Sequence, residues 1–98
     1  MPEREPFEPP LNFTQIETLR SHMLLTIGHM ARIFGVSRVT YHGWVKGSKI
    51  RKSNDGRVRD KLRLLLVILR EGWPQPEIIA MKPKERIARL LELLEPQE

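Results

Sequence analysis

Residues 26–47, TIGHMARIFGVSRVTYHGWVKG, constrain the fold most strongly, because their small and apolar side chains have the spacing of two crossing helices. Ala31 is small enough for the helices to approach closely. Gly35 stands four residues later, where the turn needs a positive φ that glycine adopts without steric cost. Apolar residues then hold the two helices together: Met30, Phe34, Val36, Tyr41 and Trp44. The segment predicts a helix-turn-helix.

Length and composition narrow the class of protein. A chain of 98 residues with 40% hydrophobic residues is sized for one domain with its own core. It has no cysteine, which excludes disulfides, thiol catalysis and cysteine-ligated zinc and suits a reducing compartment. No apolar run approaches the roughly eighteen residues of a membrane span, and MPEREPFEPP does not form a signal peptide. We expect a cytoplasmic protein without a membrane partner.

Positive charge is concentrated in the middle of the chain. The net charge is +5, but residues 32–63 carry ten lysines and arginines against two aspartates, so this region has +8 and the rest of the chain −3. A basic centre between acidic flanks indicates a region that binds a polyanion. The alternative is a solvated charged loop, which the overlap with the helix-turn-helix makes less attractive.

A first helix is predicted to precede the motif. Thr14 and Glu17 have the spacing of a capping box, so this helix is expected to start at Thr14. Residues 1–12 contain four prolines and no periodicity, and they are predicted to form an extended or disordered arm. The buried stripe of the first helix is expected to contain Ile16, Leu19, Met23 and Leu24.

The two helices of the motif have clear limits in the sequence. Thr26 is the predicted N-cap of the second helix, which runs to about Phe34. Ser37 is the predicted N-cap of the third, which runs to about Lys46, and Gly47 is placed to end it in a left-handed conformation.

A long fourth helix is predicted after a polar and basic loop over residues 48–56. Asn54 or Asp55 is its expected cap, and Gly72 its expected end, before the WPQP segment breaks the helix. The short apolar run at residues 62–69 is predicted to be buried. The core-facing stripe of this helix is expected to contain Val58, Leu62, Leu65, Leu66 and Leu69.

The C-terminal part is predicted to add a turn of helix at residues 76–81 and an amphipathic helix at residues 84–95, stopped by Pro96. The apolar stripe of that last helix is Ile87, Leu90, Leu91 and Leu94. Because strand-like alternation is absent, the predicted fold is all-α, a compact domain of about five helices.

The fourth helix has more apolar residues than one stripe needs. Leu64, Val67 and Ile68 lie partly off the expected stripe, so we expect the fourth helix to be covered on more than one side. Either residues 73–98, as a C-terminal extension, pack on the domain formed by residues 13–72, or a second chain does.

The third helix has two chemically different faces. At 100° per residue, Tyr41, Trp44 and Val45 lie on one side and are expected to face the core. The other side combines valine and glycine, which a DNA-binding helix can use for a thymine methyl contact and for close approach to the groove. The structural alternatives are that Val39 packs against the first helix or another chain, and that Gly43 allows close helix packing. We predict base contacts from Arg38, Val39, His42 and Gly43.

The motif resembles the helix-turn-helix of the lambda-repressor-like (Cro/repressor) DNA-binding domains. The shared features are a threonine cap, an alanine, the run glycine-valine-serine-arginine, and a tryptophan shortly before lysine-glycine. The resemblance covers residues 26–47. It implies base contacts from Arg38, Val39 and His42, and phosphate contacts from Ser37, Lys46 or both. It also implies a homodimer on a two-fold double-stranded DNA operator, and a bacterial or phage transcription regulator that acts as a repressor.

The chain departs from that family at two places. The family often has a glutamine that contacts the DNA backbone near the start of the second helix, where this chain has Ile27, Gly28 and His29. The hydroxyl of Thr26 or the N–H of Gly28 is predicted to replace that contact. The loop SKIRKSNDG is also longer and more basic than usual. Its residues Lys49, Arg51 and Lys52 are predicted to contact the phosphate backbone of DNA.

Patterns for catalysis or metal binding are missing from the sequence. His22, His29 and His42 do not have metal-ligand spacing, and the Glu92 and Glu95 pair fits a solvated helix face. We expect neither an enzyme nor a cofactor. Two other classes of function are compatible with the motif. One is an antitoxin that binds its operator and, through the C-terminal helices or the proline-rich arm, a partner toxin. The other is a structural protein of DNA packaging or the nucleoid.

Overall fold

A computed structural model of the chain describes residues 10–95, which form six helices and no strand. The predicted all-α fold is confirmed. Residues 1–9 of the predicted arm, and Pro96, lie outside the described residues. The additional helix relative to the expected five is a single turn, α5, within the predicted turn of helix. The helices are α1 (Phe13–His22), α2 (Ile27–Phe34), α3 (Arg38–Val45), α4 (Lys52–Arg70), α5 (Pro76–Ile79) and α6 (Pro83–Leu94).

The limits of α2 and α3 are as predicted, because each is set by local hydrogen bonds. Oγ1 of Thr26 accepts from the N–H of His29 at 3.0 Å, and Oγ of Ser37 accepts from the N–H of Thr40 at 3.0 Å. Gly35 ends α2 at φ 75°, in the left-handed region expected for the turn. The sequence prediction of both N-caps and of this glycine is confirmed.

The start of α1 differs from the prediction. Its N-cap is Asn12, whose Oδ1 accepts from the N–H of Gln15 at 3.1 Å. The predicted capping box of Thr14 and Glu17 is wrong, because the helix begins before Thr14 and the Glu17 carboxylate is held by Tyr41 and Arg20 instead.

The start of α4 also differs from the prediction. The loop comprises only residues 48–51, and the N-cap is Arg51, which makes no side-chain cap hydrogen bond. Asn54 and Asp55 were wrongly predicted as caps, since their N–H groups already donate to the Arg51 carbonyl at 2.9 Å, as first-turn residues do. Lys52, expected in the loop, is therefore the first residue of α4.

The buried stripe of α4 is shifted from the predicted one. Val58 and Leu65 are buried as expected, and Ile68, expected off the stripe, is buried too. Leu66 is 44% exposed, because it borders an open groove between α1 and α4, so the apolar run is not wholly buried. Leu24, predicted on the buried stripe of the first helix, lies beyond the end of α1 with a left-handed backbone (φ 62°) and is 37% exposed.

The C-terminal helices pack on the rest of the chain. On α6, Ile87, Leu90 and Leu94 are buried and Leu91 is partly buried, which confirms its predicted apolar face, and α6 packs against α4. The connecting segment is also fixed, because the indole N–H of Trp73 donates to the carbonyl of Met23 at 3.0 Å in the interior. The core therefore extends from α1 to α6.

Candidate nucleic-acid interface

The inner face of α3 fixes the orientation of this helix. Tyr41 and Trp44 are buried, and both rings contact Phe13 of α1, with centroid separations of 6.2 Å and 5.6 Å. Phe34 of α2 lies 6.0 Å from Tyr41, centroid to centroid. Because aromatic residues of two other helices pack on this face, α3 cannot rotate about its axis without breaking the core.

A polar network supports the same face. The hydroxyl of Tyr41 donates to Oε2 of Glu17 at 2.5 Å, while Arg20 donates to Oε1 of Glu17 at 2.9 Å and to the carbonyl of Leu25 at 2.8 Å. The hydrogen bond from Arg20 holds the pKa of Glu17 below its ordinary value, and burial raises the pKa of Tyr41. Glu17 is therefore ionised and Tyr41 is a hydrogen-bond donor at neutral pH.

The outer face of α3 brings together three of the residues predicted to contact bases. Val39 is 82% exposed, and Arg38 and His42 are exposed beside it. Together with Ile27 of α2 they line a shallow depression of about 530 Å³. An arginine, an apolar side chain and an imidazole thus share one accessible surface.

Gly43, the fourth residue predicted to contact bases, lies differently. A Cβ on this residue would point at Ser48, with its hydroxyl oxygen at 3.4 Å, and the N–H of Ser48 donates to the Gly43 carbonyl at 2.9 Å. The chain turns back here at Gly47, whose φ is 112° and which closes α3 as predicted. The absent side chain of Gly43 therefore makes room for the loop after α3.

A second depression, of about 720 Å³, lies on the loop side of α3. Three of the residues predicted to contact phosphate line it, namely Ser37, Lys49 and Arg51. Thr40 and Asn54 line it as well, although neither was predicted to contact DNA. The available signal for Thr40 was its position one turn after Ser37, since the two hydroxyl groups are 3.0 Å apart.

The other side of α3 faces the start of α2. A Cβ on Gly28 would lie 3.6 Å from Cδ of Arg38 and 3.7 Å from Oγ1 of Thr26, so the Arg38 side chain extends across the N-terminal turn of α2. The N–H of Thr26 donates to Nδ1 of His29 at 3.2 Å, which completes a reciprocal cap. Burial lowers the pKa of His29, and the positive charges of nearby arginines lower it further.

The remaining two residues predicted to contact phosphate lie at helix ends. Lys46 is the exposed C-cap of α3, and Lys52 is the exposed first residue of α4. Neither lines the two depressions described above. Their ammonium groups extend the positive surface from α3 to the start of α4.

The acidic residues of the basic region pair along α4 itself. Asp55 contacts Arg59 at 2.6 Å, and Asp60 contacts Arg63 at 2.6 Å. Each contact joins residues about one helical turn apart on α4, so both aspartates are paired within α4 and not with the cations of α3. Between residues 10 and 95, no group of three His, Asp or Glu side chains is placed to hold a metal ion. A helix long and apolar enough to cross a membrane is likewise not found in that range.

The chain matches no protein-family model, no curated protein and no solved structure, so residues and geometry alone support the function proposed for it.

Proposed function

We propose that this protein is a sequence-specific, double-stranded DNA-binding transcription regulator of bacterial or phage type, and that it reads the major groove with the outer face of α3. The observation that carries the proposal is the exposure of Val39, 82%, on a helix whose opposite face is buried. Burying a valine side chain is worth roughly 1.5–3 kcal/mol, so its exposure suggests a ligand that covers it. A thymine methyl group in the major groove is such a ligand.

Arg38 supplies the polar part of the proposed contact. It is the first residue of α3, and the N-terminal residues of a helix in the major groove are the ones that contact base edges. Its guanidinium can donate two hydrogen bonds to O6 and N7 of guanine. Its side chain lies beside the N-terminal turn of α2, where a Cβ on Gly28 would be 3.6 Å from Cδ of Arg38.

The two sides of α3 fit the two strands that border a major groove. Thr26 and Gly28 lie on the α2 side, and Ser37, Lys49 and Arg51 lie on the loop side. The major groove is about 12 Å wide, so a helix inserted in it meets a phosphate backbone on each flank. Hydroxyl, amide and cationic groups on both flanks suit such contacts.

The proposal includes a homodimer that acts as a repressor. Two α3 helices related by a two-fold axis would meet successive major-groove turns, about 34 Å apart, and a protein bound there would block a promoter. Leu64 and Val67, both about half exposed and three residues apart on α4, offer apolar surface for contact between subunits.

Selection of bound sequences from a random duplex library tests the proposal, with the full-length protein at near-physiological salt. The expected result is an inverted repeat with half-sites about one helical turn apart. Arg38→Ala is expected to weaken binding to the selected site by about 10- to 100-fold and to relax selection at one base pair. Lys84→Ala is the matched control, because it removes the same charge from an exposed position on α6. Failure to enrich a motif, or equal binding by both variants, would overturn the proposal.

A further inference from the structure

One side of α4 carries a stripe of exposed residues. Arg57, Leu64 and Glu71 are seven residues apart, so each lies only about 20° around the helix from the next. All three are exposed, Leu64 to 42%, and Val67 beside it is 45% exposed. Glu71 continues the helix, because its N–H donates to the Val67 carbonyl at 3.0 Å. These four residues form the α4 stripe, and none of them was predicted to contact DNA.

The two ends of the α4 stripe have opposite charges. Arg57 is basic and Glu71 is acidic, and the apolar pair Leu64 and Val67 lies between them. The guanidinium of Arg57 donates to the carbonyl of Phe34 at 3.4 Å, a contact that does not balance its charge. Within residues 10–95, neither Arg57 nor Glu71 forms an ion pair. The stripe therefore fits a partner that is apolar in the middle and has the opposite order of charges.

We propose that the α4 stripe of a second copy of this chain covers it, with the two α4 helices antiparallel and a two-fold axis at Leu64. Residues equally far before and after Leu64 then lie opposite each other, so Arg57 of each protomer meets Glu71 of its partner. The two Leu64 side chains meet at the centre, flanked by Val67. This inference rests on the homodimer of the proposed function and assigns its contact surface.

Charge selects both the occupant and its direction. In a parallel pair of α4 helices, Arg57 would meet Arg57 and Glu71 would meet Glu71, and such like-charge contacts are destabilising. In the antiparallel pair, each charge of the stripe meets its opposite. A contact about a two-fold axis requires a surface that is complementary to itself, and the α4 stripe is, because its opposite charges are equally far from Leu64. Asp60, on the same side of the helix, is already paired with Arg63 at 2.6 Å.

Disulfide formation between copies tests the proposal, because the protein has no cysteine of its own. The full-length Leu64→Cys protein is oxidised with copper–phenanthroline in the absence of DNA. The proposed axis brings the two cysteines together, as a disulfide requires Cβ atoms roughly 4 Å apart. Leu66→Cys is the matched control, since Leu66 is equally exposed, at 44%, but lies about 160° away around α4. We expect disulfide-linked dimers to form at least about tenfold faster for Leu64→Cys.

The charge pairing is tested on the Leu64→Cys background at low salt. Glu71→Arg should slow dimer formation by about tenfold, because two attractive pairs become repulsive. Adding Arg57→Glu to this variant should restore most of the rate, since the charges are again opposite. Glu92→Arg is the control for net charge, because its side chain is 77% exposed on α6. Circular dichroism verifies that each variant is folded.

Three results would overturn the proposal. One is an equal or faster rate for Leu66→Cys, which would place a second copy elsewhere on α4. Another is a Glu71→Arg rate equal to that of Glu92→Arg, as expected for parallel helices or for a contact without these ion pairs. The third is failure of Arg57→Glu to restore the rate of Glu71→Arg. The assay contains no DNA, so rapid linkage at residue 64 in a protein that selects no DNA motif would support this interface and overturn the proposed function alone.

Discussion

Tyr41 of α3 and Glu17 of α1 are joined by a hydrogen bond of 2.5 Å across 24 residues of sequence. Arg20 holds the other carboxylate oxygen of Glu17, so the acceptor is fixed and ionised when the tyrosine hydroxyl meets it. Hydrogen bonds to ionised acceptors are stronger than neutral ones. The exposed face of α3 is therefore positioned partly by α1, whose residues Glu17 and Arg20 lie on the opposite side of the helix from Val39.

Removing this hydroxyl should destabilise the protein without opening a cavity. Tyr41→Phe is expected to lower the free energy of unfolding by about 2 kcal/mol, because a partly buried hydrogen bond to an ionised carboxylate is lost. Urea unfolding followed by tryptophan fluorescence measures the change. Thr18→Val is the control, since the Thr18 hydroxyl donates within α1, to the carbonyl of Thr14. Its effect should stay below about 0.5 kcal/mol, and equal losses in both variants would contradict the prediction.

Arg86 should be essential for the attachment of α6. Its guanidinium donates to four carbonyls, those of Leu24, Ile78, Ile79 and Met81. Arg86→Lys keeps the charge but not the planar set of donors, so we expect a loss of about 2 kcal/mol in urea unfolding. Arg89→Lys, at an exposed position of the same helix, should change stability by less than about 0.5 kcal/mol. A similarly small effect of Arg86→Lys would contradict the prediction, because it would show that the hydrogen bonds to these carbonyls add little to the free energy of unfolding.

The features that could be predicted from the sequence depend on short-range interactions. Thr26 and Ser37 cap their helices through an N–H three residues away, and Gly35 provides a conformation that few other residues adopt. The exposed position of Val39 followed from the 100° period of α3 once its buried face was assigned.

The features that could not be predicted depend on contacts distant in sequence or on a missing local signal. Glu17 was assigned to a cap because its partner Tyr41 is far away in the sequence. The start of α4 has no capping side chain, so the sequence pattern there favoured Asn54 or Asp55. In the candidate interface, the proximity of Gly43 and Ser48 depends on how the loop folds back against α3.

Stability should decrease in mild acid because of His29. Nδ1 accepts from the N–H of Thr26, which only an unprotonated nitrogen can do. Since burial keeps the folded-state pKa below the ordinary value of 6.5, the unfolded chain takes up this proton first. The free energy of unfolding should therefore fall as pH drops below about 6.5, and this contribution should level off below the folded-state pKa.

Urea unfolding between about pH 7.5 and 5 measures this decrease. His29→Gln supplies an acceptor that does not titrate at the same capping position, so the slope in this range should become smaller. His22→Gln, at an exposed position of α1, is the control and should keep the wild-type slope. A slope in His29→Gln equal to that of the wild type would assign the pH dependence to other groups.

At position 24, glycine should give a more stable protein than alanine. It adopts φ 62°, and the N–H groups of Leu24 and Leu25 close the end of α1 by donating to the carbonyls of Ser21 and Arg20. Leu24→Gly and Leu24→Ala both remove the side chain, but only glycine avoids the strain of the left-handed conformation. Leu24→Gly should therefore be more stable than Leu24→Ala by about 1 kcal/mol. At Ala88, inside α6, the order should reverse, with Ala88→Gly losing about 1 kcal/mol.

The salt dependence of DNA binding should separate base contacts from phosphate contacts. Lys49 lines the depression beside α3, and Lys49→Ala is expected to weaken binding to all sequences and to reduce the slope of log K against log salt by about 1. Val39→Ala should leave that slope unchanged and relax selection at one base pair. Lys84→Ala, with the same loss of charge on α6, should change neither the slope of log K against log salt nor the selection at any base pair. Fluorescence anisotropy on the selected duplex at several salt concentrations measures both. An equal change of slope in Lys49→Ala and Lys84→Ala would mean that net charge, rather than the surface beside α3, attracts DNA.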